Sequence, residues 1–294
     1  MTVEDWLGKD NELSLNIWHK KYQHDNESFD EWIQRISDGN DKVAKLIKEK
    51  KFLFGGRILS NRGVKDRKLT YSNCYVIAPP DDSLESIFEC ARKLARTFSY
   101  GGGCGIDLSK LRPNRATTHN AAKESSGPVS FMDIYSQITG TISQNGRRGA
   151  LMISLDINHP DIEEFIDCKT DLSKVNYANI SVRVNDDFMR AVENNEDYML
   201  RWPCNTDLSQ FSKAYLWDET PYNTLTYLEN KNNDIIYVKK VKAHELFNKL
   251  VKNNWNYAEP GILYWDKVEN YNLLNNTNFK YAGVNPCKRL KCTA

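Results

Sequence analysis

Apolar residues recur with helical spacing toward both ends of the chain and in short strand-like runs between them. Phe29, Trp32, Ile33 and Ile36 fall at i, i+3, i+4 and i+7, one face of a helix. Ser28 and Glu31 in front of them have the spacing of a capping box. The first ~50 residues read as helical and form an N-terminal region, 1–52. Tyr71–Ile77 reads as a strand, rich in β-branched and aromatic residues and stopped by Pro79-Pro80. Asp82-Ser83-Leu84-Glu85 starts a helix whose buried stripe is expected at Leu84, Ile87, Phe88, Ala91 and Leu94, and which the Gly101-Gly102-Gly103 run stops.

Further strands are expected at Ala150–Leu155 and Ile180–Val184, with helical patterns at Pro160–Ile166 and Asp187–Val192. Strands alternating with helices predict an α/β fold around a largely buried parallel sheet. Residues 204–240 are polar and read as surface insertions. His244–Trp255 returns to helical periodicity, Glu259-Pro260-Gly261 is a turn, Ile262–Trp265 a short strand, and Asn272–Asn278 an asparagine-rich loop.

The chain has 294 residues, 40% of them apolar, which suffices for one large domain or two small ones with a real core. A formal net charge of +1 gives no argument for nucleic-acid or membrane binding. No apolar run approaches membrane-spanning length, and Met1–Trp6 lacks a signal-peptide pattern; a cytoplasmic protein is the default expectation. The seven cysteines (74, 90, 104, 168, 204, 287 and 292) form no C-x-x-C pair, and the five histidines have no ligand-like spacing, so no metal site is expected.

On the residues alone, Cys74 reads first as a small apolar side chain in a buried strand, a reactive thiol being the rarer alternative. Cys287 follows a proline in a loop with Lys288 and Arg289 beside it, cations that lower a thiol pKa. Tyr100–Ile106 holds four glycines that permit close backbone approach, but it lacks a P-loop Lys-Ser/Thr and follows a helix, not a strand. Gln144–Ala150 sets two arginines between glycines. It is either a loop with bidentate donors for phosphates or bases, or a solvated connection.

Taken in order, Phe54–Leu59, Ser72-Asn73-Cys74, Tyr100–Ile106, Gly127–Met132, Gly146–Ala150, His159–Glu163 and Asn285-Pro286-Cys287 resemble the large, catalytic subunit of ribonucleotide reductases. The resemblance runs from about residue 30 to 287. Gly55-Gly56-Arg57 and Gly146-Arg147-Arg148-Gly149 resemble the adenosylcobalamin-dependent class more than the di-iron class.

The resemblance implies a fold: the N-terminal helical region, then the first half of a ten-stranded α/β barrel over 53–287, ending at the active-site finger loop, with 288–294 a divergent tail. It also implies roles. Cys287 matches the thiyl-radical cysteine that takes the ribose 3′ hydrogen, Asn285 the asparagine that binds the substrate hydroxyls, and Cys74 the strand cysteine that helps protonate the departing 2′-hydroxyl and is oxidised. Ser72, Asn73, Gly102 and Gly103 match substrate-binding positions. Asp82, Ser99 and Arg112 match positions contacting a deoxynucleoside triphosphate or ATP effector, and Gln144, Asn145, Arg147 and Arg148 lie in the loop that transmits effector identity. The implied partners are a ribonucleotide, a second copy of the chain through the effector site, a thioredoxin-type reductant and adenosylcobalamin, in an enzyme of deoxyribonucleotide biosynthesis for DNA replication.

The chain departs from the pattern at its end. Lys288 and Arg289 stand where the family has Gly-Glu, so the general-base glutamate is replaced. The redox partner of Cys74, the later substrate-phosphate loop and the C-terminal reducing cysteines lie outside these residues, and nothing in the sequence puts Cys292 near Cys74. The N-terminal region is too short for the family's activity-switch module. The expectation is an incomplete chain, inactive and poorly behaved alone, that dimerises or joins a complementary C-terminal polypeptide. The alternatives are a catalytically inactive deoxynucleotide-binding remnant or regulatory fragment, and gene decay.

Overall fold

The computed structural model describes all residues except 145–146, 172, 212–216, 219, 230–234, 275–276, 278–279, 287–289 and 293–294. The chain divides into two compact units, one of Met1–Asn73 with Tyr100–Gly102, the other of Cys74–Ser99 with Gly103–Ala294.

In the first unit the helices are α1 (Val3–Leu7), α2 (Glu12–Ile17), α3 (Phe29–Ser37), α4 (Asp41–Lys48) and α5 (Gly56–Asn61), with one π-helical turn at Trp18–Tyr22. Ser28 forms the expected box: its Oγ accepts from Glu31 N and Glu31 Oε2 accepts from Ser28 N at 2.7 Å. Asp38, left-handed at φ 56°, stops α3. The stripe read from the sequence (Phe29, Trp32, Ile33, Ile36) is fully buried with Trp6, Trp18, Ile47 and Leu59. Leu59 belongs to α5, so this core takes in residues beyond 52. Two tryptophans in it satisfy their indole N–H on backbone: Trp6 on Ile47 O and Trp32 on Leu59 O, both at 3.2 Å.

The second unit opens with β1 (Cys74–Val76), α6 (Leu84–Ser99), β2 (Gly103–Asp107) and α7 (Gly127–Thr141). A minimal hairpin, β3 (Ser143–Gln144) and β4 (Arg147–Arg148), precedes β5 (Leu151–Asp156), α8 (Ile162–Asp167), β6 (Ala178–Val184) and α9 (Asp186–Glu193). Then come β7 (Asp197–Trp202), β8 (Thr226–Glu229), β9 (Ile235–Lys242), α10 (Ala243–Tyr257), β10 (Gly261–Tyr264), α11 (Trp265–Asn270), β11 (Tyr281–Val284) and β12 (Leu290–Cys292).

Strands β1, β2, β5, β6 and β10 pair in that order, every pair parallel. Each new strand is added on the same side of the last, the winding of a barrel rather than of a doubly wound sheet. Side chains alternate across it. Cys104 and Ile106 of β2, Leu151, Ile153 and Leu155 of β5, and Ile180, Val182 and Val184 of β6 pack with Leu94, Phe98, Tyr135, Phe165 and Phe188 in the main core. The intervening positions, Gly103, Gly105, Asp107, Ser154, Asp156, Ser181 and Arg183, make the opposite face mostly small and polar, with Met152 as an apolar exception.

Several expectations change. The Tyr71–Ile77 strand contracts to Cys74–Val76, an outer strand whose residues are half-buried, so Cys74 is not a core thiol. The buried stripe of α6 is Ile87, Cys90, Ala91, Leu94 and Phe98; Leu84 and Phe88 are both more than half exposed. The later part of the glycine stretch, with Asp107, is the fully buried strand β2, Gly103–Asp107. Residues 204–240 are more than insertions: β8 and β9 join β7 in an antiparallel sheet ordered β7-β9-β8. Alternation in Ile236 and Val238, masked by the surrounding polar composition, gives that sheet its own small core with Met199 and Leu228.

Candidate active site

The small, polar face of the parallel sheet is covered by the hairpin of β11 and β12, which pair antiparallel with Val284 opposite Leu290. Val284 packs with Met152 and Trp265 beneath it. Asn285 and Pro286 leave β11 directly over β2. A Cβ built on Gly105 meets Val284 O at 1.8 Å and Asn285 Cα at 2.9 Å, and one built on Gly103 meets Pro286 Cγ at 3.3 Å. Asn285 is buried, 1% exposed. Register sets Cys74 beside Gly103. Parallel neighbours share a face, so Cys74, Gly103 and the Asn285-Pro286 segment meet on one side of the sheet. Cys287, Lys288 and Arg289 lie outside the described residues.

A few ångströms along the same face lies a group the sequence reading did not single out. Arg183 Nε is 3.1 Å from Asp107 Oδ2, and its Nη2 donates to Asp156 Oδ2 at 3.1 Å and to Ser109 Oγ at 3.2 Å. Ser154 Oγ donates to Asp107 Oδ2 at 2.7 Å, and the guanidinium lies 4.7 Å from the Trp265 ring centre. Burial pushes the Asp156 carboxyl above its ordinary range, and Arg183 opposes that shift. The signal was present in Asn179-Ile180-Ser181-Val182-Arg183-Val184, where polar and apolar residues alternate strictly.

Burial separates the thiols chemically. It pushes Cys90 up to about 11 and Cys104 and Cys168 up to about 12, leaving them protonated at neutral pH. Burial also pushes the Cys204 thiol well up, although its residue, like Cys74, is only half-buried.

The other expected substrate residues, Ser72, Asn73 and Gly102, belong to the first unit. Ser72 N donates to Thr70 Oγ1 at 3.1 Å, Asn73 is exposed, and Gly102 is buried next to Gly103 in the chain. The expected effector residues are spread out. Asp82 stands just before α6 and holds Arg112 twice, through Arg112 N at 3.0 Å and Nε at 2.6 Å, while Arg112 Nη1 donates to Thr117 O at 2.7 Å. Ser99 closes the far end of α6, its Oγ bonded to Arg96 O. At ~1.5 Å per helical residue that is roughly 25 Å from Asp82. Gln144, Arg147 and Arg148 form the β3–β4 hairpin; Asn145 lies outside the described residues.

His159-Pro160-Asp161 builds a buried corner after β5. His159 Nε2 faces Leu111 O at 2.8 Å and so carries the proton, while Nδ1 accepts from Asp161 N at 3.1 Å. Asp161 Oδ2 accepts from Asn114 N at 2.8 Å. Burial pushes His159 down to about 4 and Asp161 up to about 7.

A parallel, barrel-wound sheet with an Asn-Pro hairpin laid across its polar face defines a class of α/β catalytic domain. The family model for the ribonucleotide reductase barrel domain matches residues 72–289, and the chain belongs to that family. It is 33% identical over 249 residues to the vitamin B12-dependent ribonucleoside-diphosphate reductase of Thermoplasma acidophilum, covering 84% of this chain and 28% of the relative. Identity is 30% to the vitamin B12-dependent ribonucleotide reductase of Streptomyces clavuligerus (84% of this chain, 25% of the relative) and 31% to a vitamin B12-dependent ribonucleoside-diphosphate reductase of Mycobacterium tuberculosis (84% and 31%). The chain thus spans about a quarter to a third of the length of these curated relatives.

The relatives' names imply a corrin. The groove of about 520 Å³ lined by Ala95, Asp133, Ile138 and Ile142 runs along α6 and α7, whose core residues pack on the apolar face of the sheet, away from Asn285. That groove does not adjoin the face that carries Asn285.

Proposed function

We propose that this chain supplies the finger-loop part of a vitamin B12-dependent ribonucleotide reductase that converts ribonucleoside diphosphates to deoxyribonucleotides in the cytoplasm, feeding DNA replication. The observation that carries the reading is the convergence of Cys74 and the Asn285-Pro286 segment on one sheet face. Cys287, as a thiyl radical, takes the ribose 3′ hydrogen. Asn285 holds the ribose hydroxyls. Cys74 gives its proton to the departing 2′-hydroxyl, which leaves as water. Cys74 and a second cysteine, carried by a complementary C-terminal polypeptide, then donate two electrons and close a disulfide, the second thiol's hydrogen going to C2′; Cys287 returns its hydrogen to C3′ and is again a thiyl radical, and a thioredoxin-type dithiol reopens the disulfide. Positioning dominates such chemistry, because a sulfur radical acts only on a C–H bond in van der Waals reach. Ser72, Asn73, Gly102 and Gly103 line the substrate. Asp82, Arg112 and the β3–β4 hairpin serve a deoxynucleoside triphosphate or ATP effector, between two copies of the chain.

Arg289, in place of the family's glutamate, favours a second reading: a chain that binds deoxynucleotides without catalysis. The two separate when the chain is mixed with the remaining part of a relative's reductase, adenosylcobalamin, a dithiol and a ribonucleoside diphosphate. Deoxynucleotide product is expected. A well-folded complex that binds deoxynucleoside triphosphate but makes no product supports the second reading.

A further inference from the structure

We infer that Gly105, with Gly103 beside it, is a positioning residue: bare backbone on β2 forms a seat that sets how deep the Val284–Pro286 segment lies, and with it Asn285. A glycine inside a strand weakens it, having no side chain to pack and more entropy to lose. Neither glycine has a positive φ, so backbone conformation does not demand them. Space does. A Cβ at Gly105 falls 1.8 Å from Val284 O, 2.7 Å from Val284 C and 2.9 Å from Asn285 Cα, all backbone atoms, whereas real Cβ contacts essentially never fall below 3.0 Å. Relief therefore needs a backbone displacement of at least about 1 Å. β2 is fully buried between β1 and β5, so the hairpin is the part that gives. Gly103 is the milder half of the seat: its Cβ meets Ala150 O at 3.2 Å and Pro286 Cγ at 3.3 Å.

The hairpin itself supplies the control. A Cβ at Gly283 finds only Val76 Cγ1 at 3.7 Å and Asp107 Cβ at 3.9 Å, ordinary contact distances. Gly283→Ala adds the same methyl to the same layer without lifting it.

The seat is independent of chemistry; its catalytic consequence rests on the reductase reading above. The test uses the full chain, labelled with 15N, comparing Gly105→Ala, Gly103→Ala and Gly283→Ala. Expected are large shifts of the Val284 and Asn285 amides in Gly105→Ala, smaller ones at the same residues in Gly103→Ala, and none beyond nearest neighbours in Gly283→Ala. A folded Gly105→Ala with Asn285 unmoved overturns the seat, as does Gly283→Ala disturbing Asn285 equally. Should Gly105→Ala not fold, Gly103→Ala decides alone, and unshifted Asn285 there overturns it. With the complementary polypeptide, a ~1 Å displacement is expected to lower kcat by about 100-fold while KM changes little. If Asn285 moves as expected but wild-type turnover does not depend on Cys287, the seat stands and the reductase reading falls.

Discussion

Arg183 on β6 reaches across β5 to Asp107 on β2, Nε to Oδ2 at 3.1 Å, and ties three strands together beneath the Asn285 hairpin. Both side chains are largely buried, 13% and 3% exposed, so removing one leaves a charge without its counterion. Arg183→Met is expected to destabilise the unit by about 3–5 kcal/mol. Urea denaturation at neutral pH checks this, and a loss under about 1 kcal/mol would mean the cluster is effectively solvated. The deficit should shrink on acidification, as Asp156, whose carboxyl burial holds above its ordinary range, takes up a proton.

The buried corner at His159 and Asp161 predicts a pH signature. His159 falls from 6.5 unfolded to about 4 folded, so the unfolded chain protonates first as pH drops. Stability from the neutral imidazole is complete above 6.5 and lost down to about 4, some 3 kcal/mol in all. Asp161 works oppositely. Its carboxyl is raised from 3.8 to about 7, so the unfolded chain releases that proton first and stability is lost as pH rises through the interval. The two slopes offset each other between about 4 and 6.5. Asp161→Asn keeps an oxygen to accept from Asn114 N but removes the opposing slope. Its stability should fall on acidification by about 3 kcal/mol more than that of the wild type, read from urea midpoints between pH 6.5 and 4. Parallel profiles would contradict the assignment.

Asp82 and Arg112 are bonded to each other, and Ser99 is a helix length away. Asp82→Ala removes an acceptor proposed for the effector and also releases Arg112. Calorimetric affinity for a deoxynucleoside triphosphate is expected to drop about tenfold or more, while Ser99→Ala changes it less than about twofold. Equal losses would show that the ligand lies along α6 rather than at its start.

Thiol labelling should follow burial. At pH 8 and in the folded state, Cys74 is expected to react with iodoacetamide at least about 100-fold faster than Cys90, Cys104 or Cys168. Peptide mapping by mass spectrometry reads the order. Early modification of Cys104 would mean that β2 is not the buried strand described.

The helices were the most legible part of this chain, because an amphipathic stripe and a capping residue suffice to define them. Ser28, Trp32 and Ile36 behave as their spacing dictates. β2 was harder to see. Its glycines announced close backbone approach without a partner for it, and the hairpin lying on it explains why a central strand carries Gly103 and Gly105. β8 and β9 were hidden by composition, since short apolar alternations such as Ile236 and Val238 sit among lysines and asparagines. Leu84 and Phe88 satisfied helical periodicity yet lie outside the core, which takes Ile87, Cys90, Ala91, Leu94 and Phe98 instead. At the site, motif order pointed to Cys74 and Asn285. The Arg183 cluster depends on contacts between strands tens of residues apart, which one sequence read alone does not pair.

The most direct test of the central claim is deoxynucleotide formation by the chain combined with its complementary polypeptide, adenosylcobalamin and a dithiol, comparing wild type with Cys287→Ser and Cys74→Ser. The account predicts product from the wild type, none from Cys287→Ser, and at most a single turnover's worth or less from Cys74→Ser. Undiminished turnover by Cys287→Ser would contradict it.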